Sequence, residues 1–546
     1  MDLHFDPSRL ASCCEVDSVH KALTPALNLA MKSYIHAALL CFAPLAGVLA
    51  QPADFPLKPI YPDATPVCSP EELKKVVIPN TTIESVTVDE RDGAVRVTAI
   101  VTHPPANDRV KIWVALPVKN WNGRFRGNGG GGFLTGNAES LRGAALQGFA
   151  AASTDGGHEG GSGSFALHVS GRLNWQEIRD FAYLGIHEMT VVGKALAQAF
   201  YGKPPRYSYF VGGSTGGRQG LMEAQRYPAD YDGIFSGCPA INWASMVPST
   251  LWPQVVMNDA KHLVSKEKLE AVTAAAVAAC DPHDGVSDGV IDDPDKCTWD
   301  PKAFVGTKVG DSTFTEEDAN VVRKIWAGPM GYEGRFLWHG FSHGANLFAT
   351  AGSEGMPLKP KPFGIGLDWF RYFLARSPGF DGTEMTAAEF ELFVNQSVEL
   401  FGPVFGANDP DLSAFRDHGG KVIILHGLTD QLIPHEGSVD YYERVQKQMG
   451  GAAEAAKFAR LFLVPGVDHG FRGPGATPNM NRLLLSLVAW VEEGKAPDQL
   501  LGEARDAGGN IIRTRPVFPY PHTARYTGTG DPNDAQNFVS QSPVPR

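Results

Sequence analysis

The chain has 546 residues, 48 Lys+Arg against 60 Asp+Glu for a formal charge of −12, and 43% hydrophobic and 20% charged residues. That balance is globular, which excludes bulk disorder and fibrous repeats. The acidic excess excludes a nucleic-acid surface, which needs clustered Lys and Arg.

The first readable element is an address. Met31 to Ala50 carry one Lys, then an apolar run, then small residues before Gln51. This is the layout of a secretory signal peptide, and the run is too short to span a bilayer. Residues 1–50 are therefore expected to be an N-terminal extension plus signal peptide, with translation starting at Met31 and cleavage after Ala50. The mature protein is expected to be secreted or periplasmic, off the membrane once cleaved, in an oxidising compartment. Its remaining cysteines are Cys68, Cys238, Cys280 and Cys297. Cys280 and Cys297 bracket a short loop and are expected to pair, a bridge contributing ~3 kcal/mol. Nothing in the sequence pairs Cys68 with Cys238.

Val110 to Leu116 is strand-like and leads into the glycine-rich stretch Trp121 to Phe133. Phe181 to Tyr201 has helical apolar spacing. Tyr207 to Val211 predicts a strand, followed at once by GGSTGGRQG and a helix. Val422 to Leu425 and Leu461 to Val464 predict two more strands, ahead of HGLTD and PGVDHG, and a last helix starts at Asn481. Strands followed by helices imply an α/β fold with a mostly parallel sheet. Residues 245–412 differ, with helix starts at Ser265 and at the capping box Thr386/Glu389. This stretch reads as a lid domain inserted into a catalytic domain made of 51–244 and 413–546. The Pro- and aromatic-rich segment from Arg515 is expected to lie extended on the core.

Gly212-Gly213-Ser214-Thr215-Gly216 matches G-x-S-x-G between a strand and a helix, the setting of a nucleophile elbow. A serine hydroxyl needs a base and a group to orient that base. In this strand–elbow–helix setting the order is Ser, acid, His, which selects Asp430 and His469, both on loops after strands. His426 competes as base but precedes the acid. An oxyanion needs backbone N–H donors. Thr215 is expected to supply one, and the Gly127–Gly132 run the other, with Gly129 and Gly130 as candidates. Inside the Cys280–Cys297 pair, Asp281, Asp284 and Asp288 crowd carboxylates that a hard cation such as Ca²⁺ would reconcile. On spacing alone a solvated acidic loop serves equally. The pattern is not an EF-hand, and zinc lacks its usual Cys/His set.

Taken together, WNGRF with its glycine run, TDGGH, DFAYLGIHEMT, YSYFVGGSTGGRQGLMEAQRYP, YDGIFSGCPAINW, CDPHDGVSDGVIDDPDKC, HGLTD, PGVDHGFRGPG and RPVFPYP resemble the tannase and feruloyl esterase family, which includes terephthalate monoester hydrolases. The resemblance covers nearly the whole mature chain. It implies an α/β-hydrolase fold with a lid between nucleophile and acid, and a catalytic set of Ser214, Asp430 and His469. It further implies a structural lid calcium held by Asp281, Asp284 and Asp288 with the carbonyls of Val286 and Val290, and no organic cofactor. Members usually carry cysteines where this chain has Gly213 and Gly470, and a second family disulfide is replaced by Val517 and Val539. The catalytic loops are thus expected to be held by packing and hydrogen bonds alone. The implied substrate is a small ester of an aromatic acid: gallate, ferulate or another hydroxycinnamate, or a terephthalate half-ester. Trp369 and Arg371 in the lid, with His426 and Ile433 beside the acid, are the candidate pocket residues; the alternative for the lid segment is lid core. A peptidase or acyltransferase on the same scaffold, or a non-catalytic aromatic-ligand binder, are the rival readings.

Overall fold

The computed structural model describes residues 57–542. The expected signal peptide lies outside the described residues. No helix among those described is long and apolar enough to cross a membrane.

Nine strands form one sheet: β1 (Thr81–Asp89), β2 (Ala94–Val101), β3 (Val110–Pro117), β4 (Arg124–Asn128), β5 (Ala150–Thr154), β6 (Tyr207–Gly213), β7 (Gly233–Gly237), β8 (Lys421–Gly427) and β9 (Ala459–Val464). They lie in the order β1-β2-β3-β5-β4-β6-β7-β8-β9. From β5 onward every neighbouring pair is parallel. The other edge, β1 to β3 with β5, is antiparallel, so the sheet is mostly parallel, as expected, with an antiparallel edge. The parallel strands are buried on both faces because helices cover both sides, and they read as continuous apolar runs. On one face Ile186, Met189, Leu196 and Phe200 of α1 (Gly185–Tyr201) pack on Phe125, Phe210 and Ile234. On the other, Leu483, Leu484, Leu487 and Trp490 of α9 (Met480–Glu493) pack on Tyr209, Phe235, Ile423 and Leu425.

Between β7 and β8 the chain leaves the sheet for the helix-rich excursion the sequence predicts. Among its helices are α3 (Trp243–Ser249), α4 (Trp252–Ala260), α5 (Lys266–Cys280), α6 (Glu316–Ala327) and α7 (Ala387–Phe405); α2 (Thr215–Arg226) precedes β7 and α8 (Glu436–Gln448) follows β8. Ser265 caps α5 through a bond from the Lys268 N–H, and Thr386 with Glu389 closes the capping box of α7. The insert has its own aromatic core, in which Trp369 stacks on Phe373 at 4.1 Å and meets Phe401 and Phe405 edge-on. Phe133 and Phe181, from outside the insert, join that cluster, so the insert is docked through aromatic packing. Cys280 and Cys297 form a disulfide at the end of α5. After α9 the chain makes an antiparallel pair, β10 (Leu500–Arg505) with β11 (Ile511–Val517). It then runs extended, bridging Phe462 of β9 through Pro519.

Candidate active site

The sheet delivers four adjacent strand ends, those of β6, β7, β8 and β9, to one place. In an open α/β sheet, side chains that do chemistry gather at these carboxyl ends. Ser214 follows β6 with φ 59° and ψ −120°, outside the regions an L-residue prefers, and α2 starts at the next residue. Two positions around so sharp a turn admit only glycine. A Cβ on Gly212 would lie 2.5 Å from the Gly216 carbonyl group, and one on Gly217 would lie 2.7 Å from the Gly237 carbonyl oxygen. The Ser214 N–H donates to Gly237 O at 2.8 Å, which pins the elbow to the end of β7.

Asp430 and His469 meet as expected. His469 Nδ1 donates to Asp430 Oδ2 at 2.8 Å. Asp430 Oδ1 accepts the N–H groups of Leu432 and Ile433, each at 2.8 Å. Burial alone would raise the Asp430 carboxyl, but His469 and His426 hold it well below the ordinary carboxylate range. Burial would likewise lower the His469 imidazole, yet the Asp430 charge raises it above its ordinary value. No hydrogen bond joins Ser214 to His469 among the described residues; such contacts commonly tighten only when substrate binds.

Three residues given no part in the site by the sequence reading hold these loops. The Gln431 side chain accepts the His469 N–H at 3.0 Å, tying the histidine loop to the acid loop. Phe471, at φ 55°, sets its ring against Gly213 and Gly237, and a Cβ on Gly237 would come within 2.8 Å of it. Cys238 is fully buried at φ 38°, and its thiol lies within 4.8 Å of the facing atoms of Asp430 and His469. Burial, then the Asp430 charge, keep that thiol protonated. The positions of Gly213 and Gly470 thus carry no cross-link, and packing with hydrogen bonds does the holding.

The oxyanion candidates need a correction. The Gly129 N–H donates to Val211 O at 3.0 Å, and the Gly130 N–H to Gln219 Oε1 at 3.1 Å, so neither amide is available. The Gly131–Leu134 bridge turns the chain so that Gly132 sits at its tip with φ 58°. The Gly132 N–H has no hydrogen-bond partner among the described residues. Thr215 Oγ1 donates to Gly132 O at 2.7 Å, bringing that residue against the start of α2.

The pocket candidates divide. Trp369 is fully buried and donates through its indole N–H to Ser397 Oγ at 2.9 Å. Phe373, Phe401 and Phe405 cover its ring, so it is lid core and presents no face to a ligand. His426 is also fully buried, because it lies on β8, covered on both sides. Its Nε2 lies 3.0 Å from Ile433 O and 3.3 Å from Asp430 Oδ2, while Nδ1 meets Ser438 Oγ at 2.8 Å. A carbonyl only accepts, so Nε2 carries the proton and the ring buttresses the acid loop instead of lining a pocket. Arg371 is half-buried and donates to the Phe380 carbonyl at 2.6 Å. Ile433 is buried with Leu432 against the insert's core. Ile365, which the sequence did not single out, stands against the glycine run: its Cδ1 would lie 3.1 Å from a Cβ on Gly132.

The acidic loop fits a hard cation. Asp281 accepts the N–H groups of Asp288 and Gly289, each at 3.1 Å. Asp284 accepts the Val286 N–H at 2.9 Å and shares a hydrogen bond with Asp292, a fourth acid the sequence reading left out. Asp288 Oδ2 is met by Arg515 at 2.7 Å and Arg513 at 3.3 Å, but its buried Oδ1 has no partner. The carbonyls of Val286 and Val290, on buried residues, accept no hydrogen bond among the described residues. An orphaned carboxylate oxygen, two free carbonyls and paired acids form an oxygen-donor set of the kind Ca²⁺ takes.

A strained serine at a strand–helix elbow, with an Asp-oriented histidine three strands away, defines an α/β-hydrolase of the esterase class. The chain belongs to the tannase and feruloyl esterase family, whose model matches residues 94–541, and it is a carboxylic ester hydrolase of that type. It is 42% identical over 476 residues to a probable feruloyl esterase of Arthroderma benhamiae, covering 84% of this chain and 86% of that one. It is 32% identical over 510 residues to the mono(2-hydroxyethyl) terephthalate hydrolase of Piscinibacter sakaiensis, covering 80% and 82%. The crystal structure of feruloyl esterase B from Aspergillus oryzae superimposes with a TM-score of 0.75 at 28% identity, covering 86% of this chain and all of that one.

Proposed function

We propose that the protein is a secreted serine esterase that cleaves small esters of aromatic carboxylic acids through an acyl-enzyme. The observation that carries this reading is the buried His469–Asp430 pair, 2.8 Å apart, beside the strained Ser214 elbow. His469 takes the Ser214 proton, and Ser214 Oγ attacks the ester carbonyl. The N–H groups of Thr215 and Gly132 receive the oxyanion. His469 then protonates the leaving alcohol, and water, activated by the same ring, releases the acid. Asp430 keeps the proton on Nδ1 so that Nε2 is free to act as base.

Ile365, beside Gly132 where the insert meets the glycine run, would form an apolar wall of the acyl pocket. The names of the two relatives argue for an aromatic acid, ferulate-like or terephthalate-like. Calcium, held by Asp281, Asp284 and Asp288 with the carbonyls of Val286 and Val290, would fix the shape of the insert's disulfide loop. The test is free-acid release from methyl ferulate, methyl gallate, chlorogenate and mono(2-hydroxyethyl) terephthalate, with phosphonate labelling read by mass spectrometry. We expect one phosphonate on Ser214 and a loss of at least ~10⁴ in kcat for Ser214→Ala. Near-normal turnover by that variant, or labelling elsewhere, would refute the mechanism.

A further inference from the structure

Beside the serine, the glycine run folds into a short hairpin. The Gly131 and Leu134 N–H groups close it by donating to each other's carbonyls at 2.9 and 3.0 Å. Its two limbs touch: a Cβ on Gly130 would lie 2.5 Å from Thr135 O. Helix α2 presses on one limb, for a Cβ on Gly129 would lie 2.7 Å from both Gly216 Cα and Gln219 Oε1. The Gly216 N–H donates to Gly130 O at 3.1 Å. Gln219, itself buried, spans both limbs. Its Oε1 accepts the Gly130 N–H and its Nε2 donates to Thr135 O, each at 3.1 Å. It stands four residues after Thr215, whose hydroxyl holds Gly132 O, so the two side chains share one face of α2.

We propose that Gln219 is a positioning residue of the oxyanion hole: its carboxamide clamps both limbs of the hairpin to α2 and so sets the Gly132 N–H against the Thr215 N–H and Ser214. The inference rests on the esterase mechanism proposed above. One helix then carries the nucleophile at its cap, one oxyanion donor at its first residue, and the clamp for the other donor one turn on. The hairpin needs such a clamp. Four successive glycines, Gly129 to Gly132, give it no side chains to pack there, and an oxyanion donor works only if it is fixed before the charge develops.

The chemistry admits one orientation of the amide. The Gly130 N–H only donates and Thr135 O only accepts, so Oε1 and Nε2 are each committed. A buried carboxamide costs more than an apolar side chain of equal size unless both ends are bonded, and here both are. A carboxylate in its place would set an acceptor against the Thr135 carbonyl. A protonated carboxyl keeps one acceptor and one donor and reproduces the pattern. The surrounding ionisable groups are otherwise engaged. The hairpin itself carries none, and His158, its pKa lowered by burial, bonds Phe133 O. On α2, Arg218 turns to the carbonyls of Ala182 and Phe181, while burial and Asp230 keep Glu223 protonated.

The test compares Gln219→Met, which keeps the volume, and Gln219→Glu with the parent enzyme on the aromatic ester the parent cleaves fastest. For Gln219→Met we expect kcat lower by about 10- to 100-fold with KM within about threefold, a loss smaller than the roughly 10²–10³ for a donor removed outright. Binding of an aryl boronic acid, which mimics the tetrahedral state on Ser214, should weaken by the same factor, and binding of the product acid should not. Gln219→Glu should be rescued by acid: its kcat relative to the parent's is highest near pH 5.5 and falls at least about tenfold by pH 8, as the carboxyl ionises. A Gln219→Met enzyme with parental kcat would overturn the proposal. So would a Gln219→Glu ratio that stays flat across that range, a comparison made within one protein, checked by circular dichroism at both ends, that stands even if the methionine variant fails to fold. Phosphonate labelling of the parent keeps the two readings apart: no label on Ser214 sinks the mechanism, whereas a labelled parent with an unaffected Gln219→Met sinks the clamp alone.

Discussion

Asp430→Asn separates the catalytic reading from its rivals. Asp430 Oδ1 accepts two N–H groups, from Leu432 and Ile433. An asparagine must keep its carbonyl oxygen there, because turning the amide would leave two donors facing a third. Its NH₂ then faces His469 Nδ1, where the carboxylate oxygen stood 2.8 Å away. Two donors cannot share that line, so the His469 proton moves to Nε2. The base that should receive the Ser214 proton now presents an N–H. The fold should survive, since the side chain is isosteric and keeps both backbone bonds. Loss of the correct tautomer should lower kcat by roughly 10⁴, which at 1.36 kcal/mol per decade is about 5.5 kcal/mol of transition-state stabilisation. The assay is steady-state release of the aromatic acid near pH 8, with far-ultraviolet circular dichroism and thermal unfolding as controls. A folded Asp430→Asn enzyme with kcat within tenfold of the parent would refute the assignment of Asp430 as the group that orients the base.

Three further outcomes follow from the same geometry. Because Asp430 raises the His469 pKa, kcat/KM should climb through a midpoint above the ordinary histidine value of about 6.5. By linkage, the pair's stabilisation is complete below the unfolded histidine pKa and fades as pH rises through the folded one, while the lowered Asp430 gives stability above the ordinary carboxylate pKa that is lost as pH falls; a midpoint below 6 in the pH–rate profile would contradict this. Phe471→Gly should relieve positive-φ strain of about 1 kcal/mol yet lower kcat on the order of tenfold, as the histidine loop loses its purchase on Gly213 and Gly237; unchanged kcat would show that the ring only fills space. EGTA should lower the thermal midpoint by at least a few degrees, and Asp288→Asn should abolish that response; an EGTA-insensitive parent would remove calcium from the acidic loop.

How much of this could be read in advance depended on distance along the chain. Ser214, Asp430 and His469 were legible because each follows an apolar strand directly, and a parallel sheet aligns its strand ends. The insert was legible because its capping residues break the strand–helix rhythm. The choice between Gly130 and Gly132 was not, since it rests on Gln219 reaching back 89 residues to occupy one amide while the Gly131–Leu134 bridge leaves the other free. His426 was misread for a different reason: every residue from Val422 to Gly427 is buried, so on a strand covered on both faces alternation no longer tells a wall from a support. Trp369 failed in the same way, because an aromatic helix looks alike whether its rings face a ligand or one another. Where a local motif states the chemistry, the sequence suffices; where the function of a side chain is set by which of its atoms a remote group has already claimed, only the packing decides.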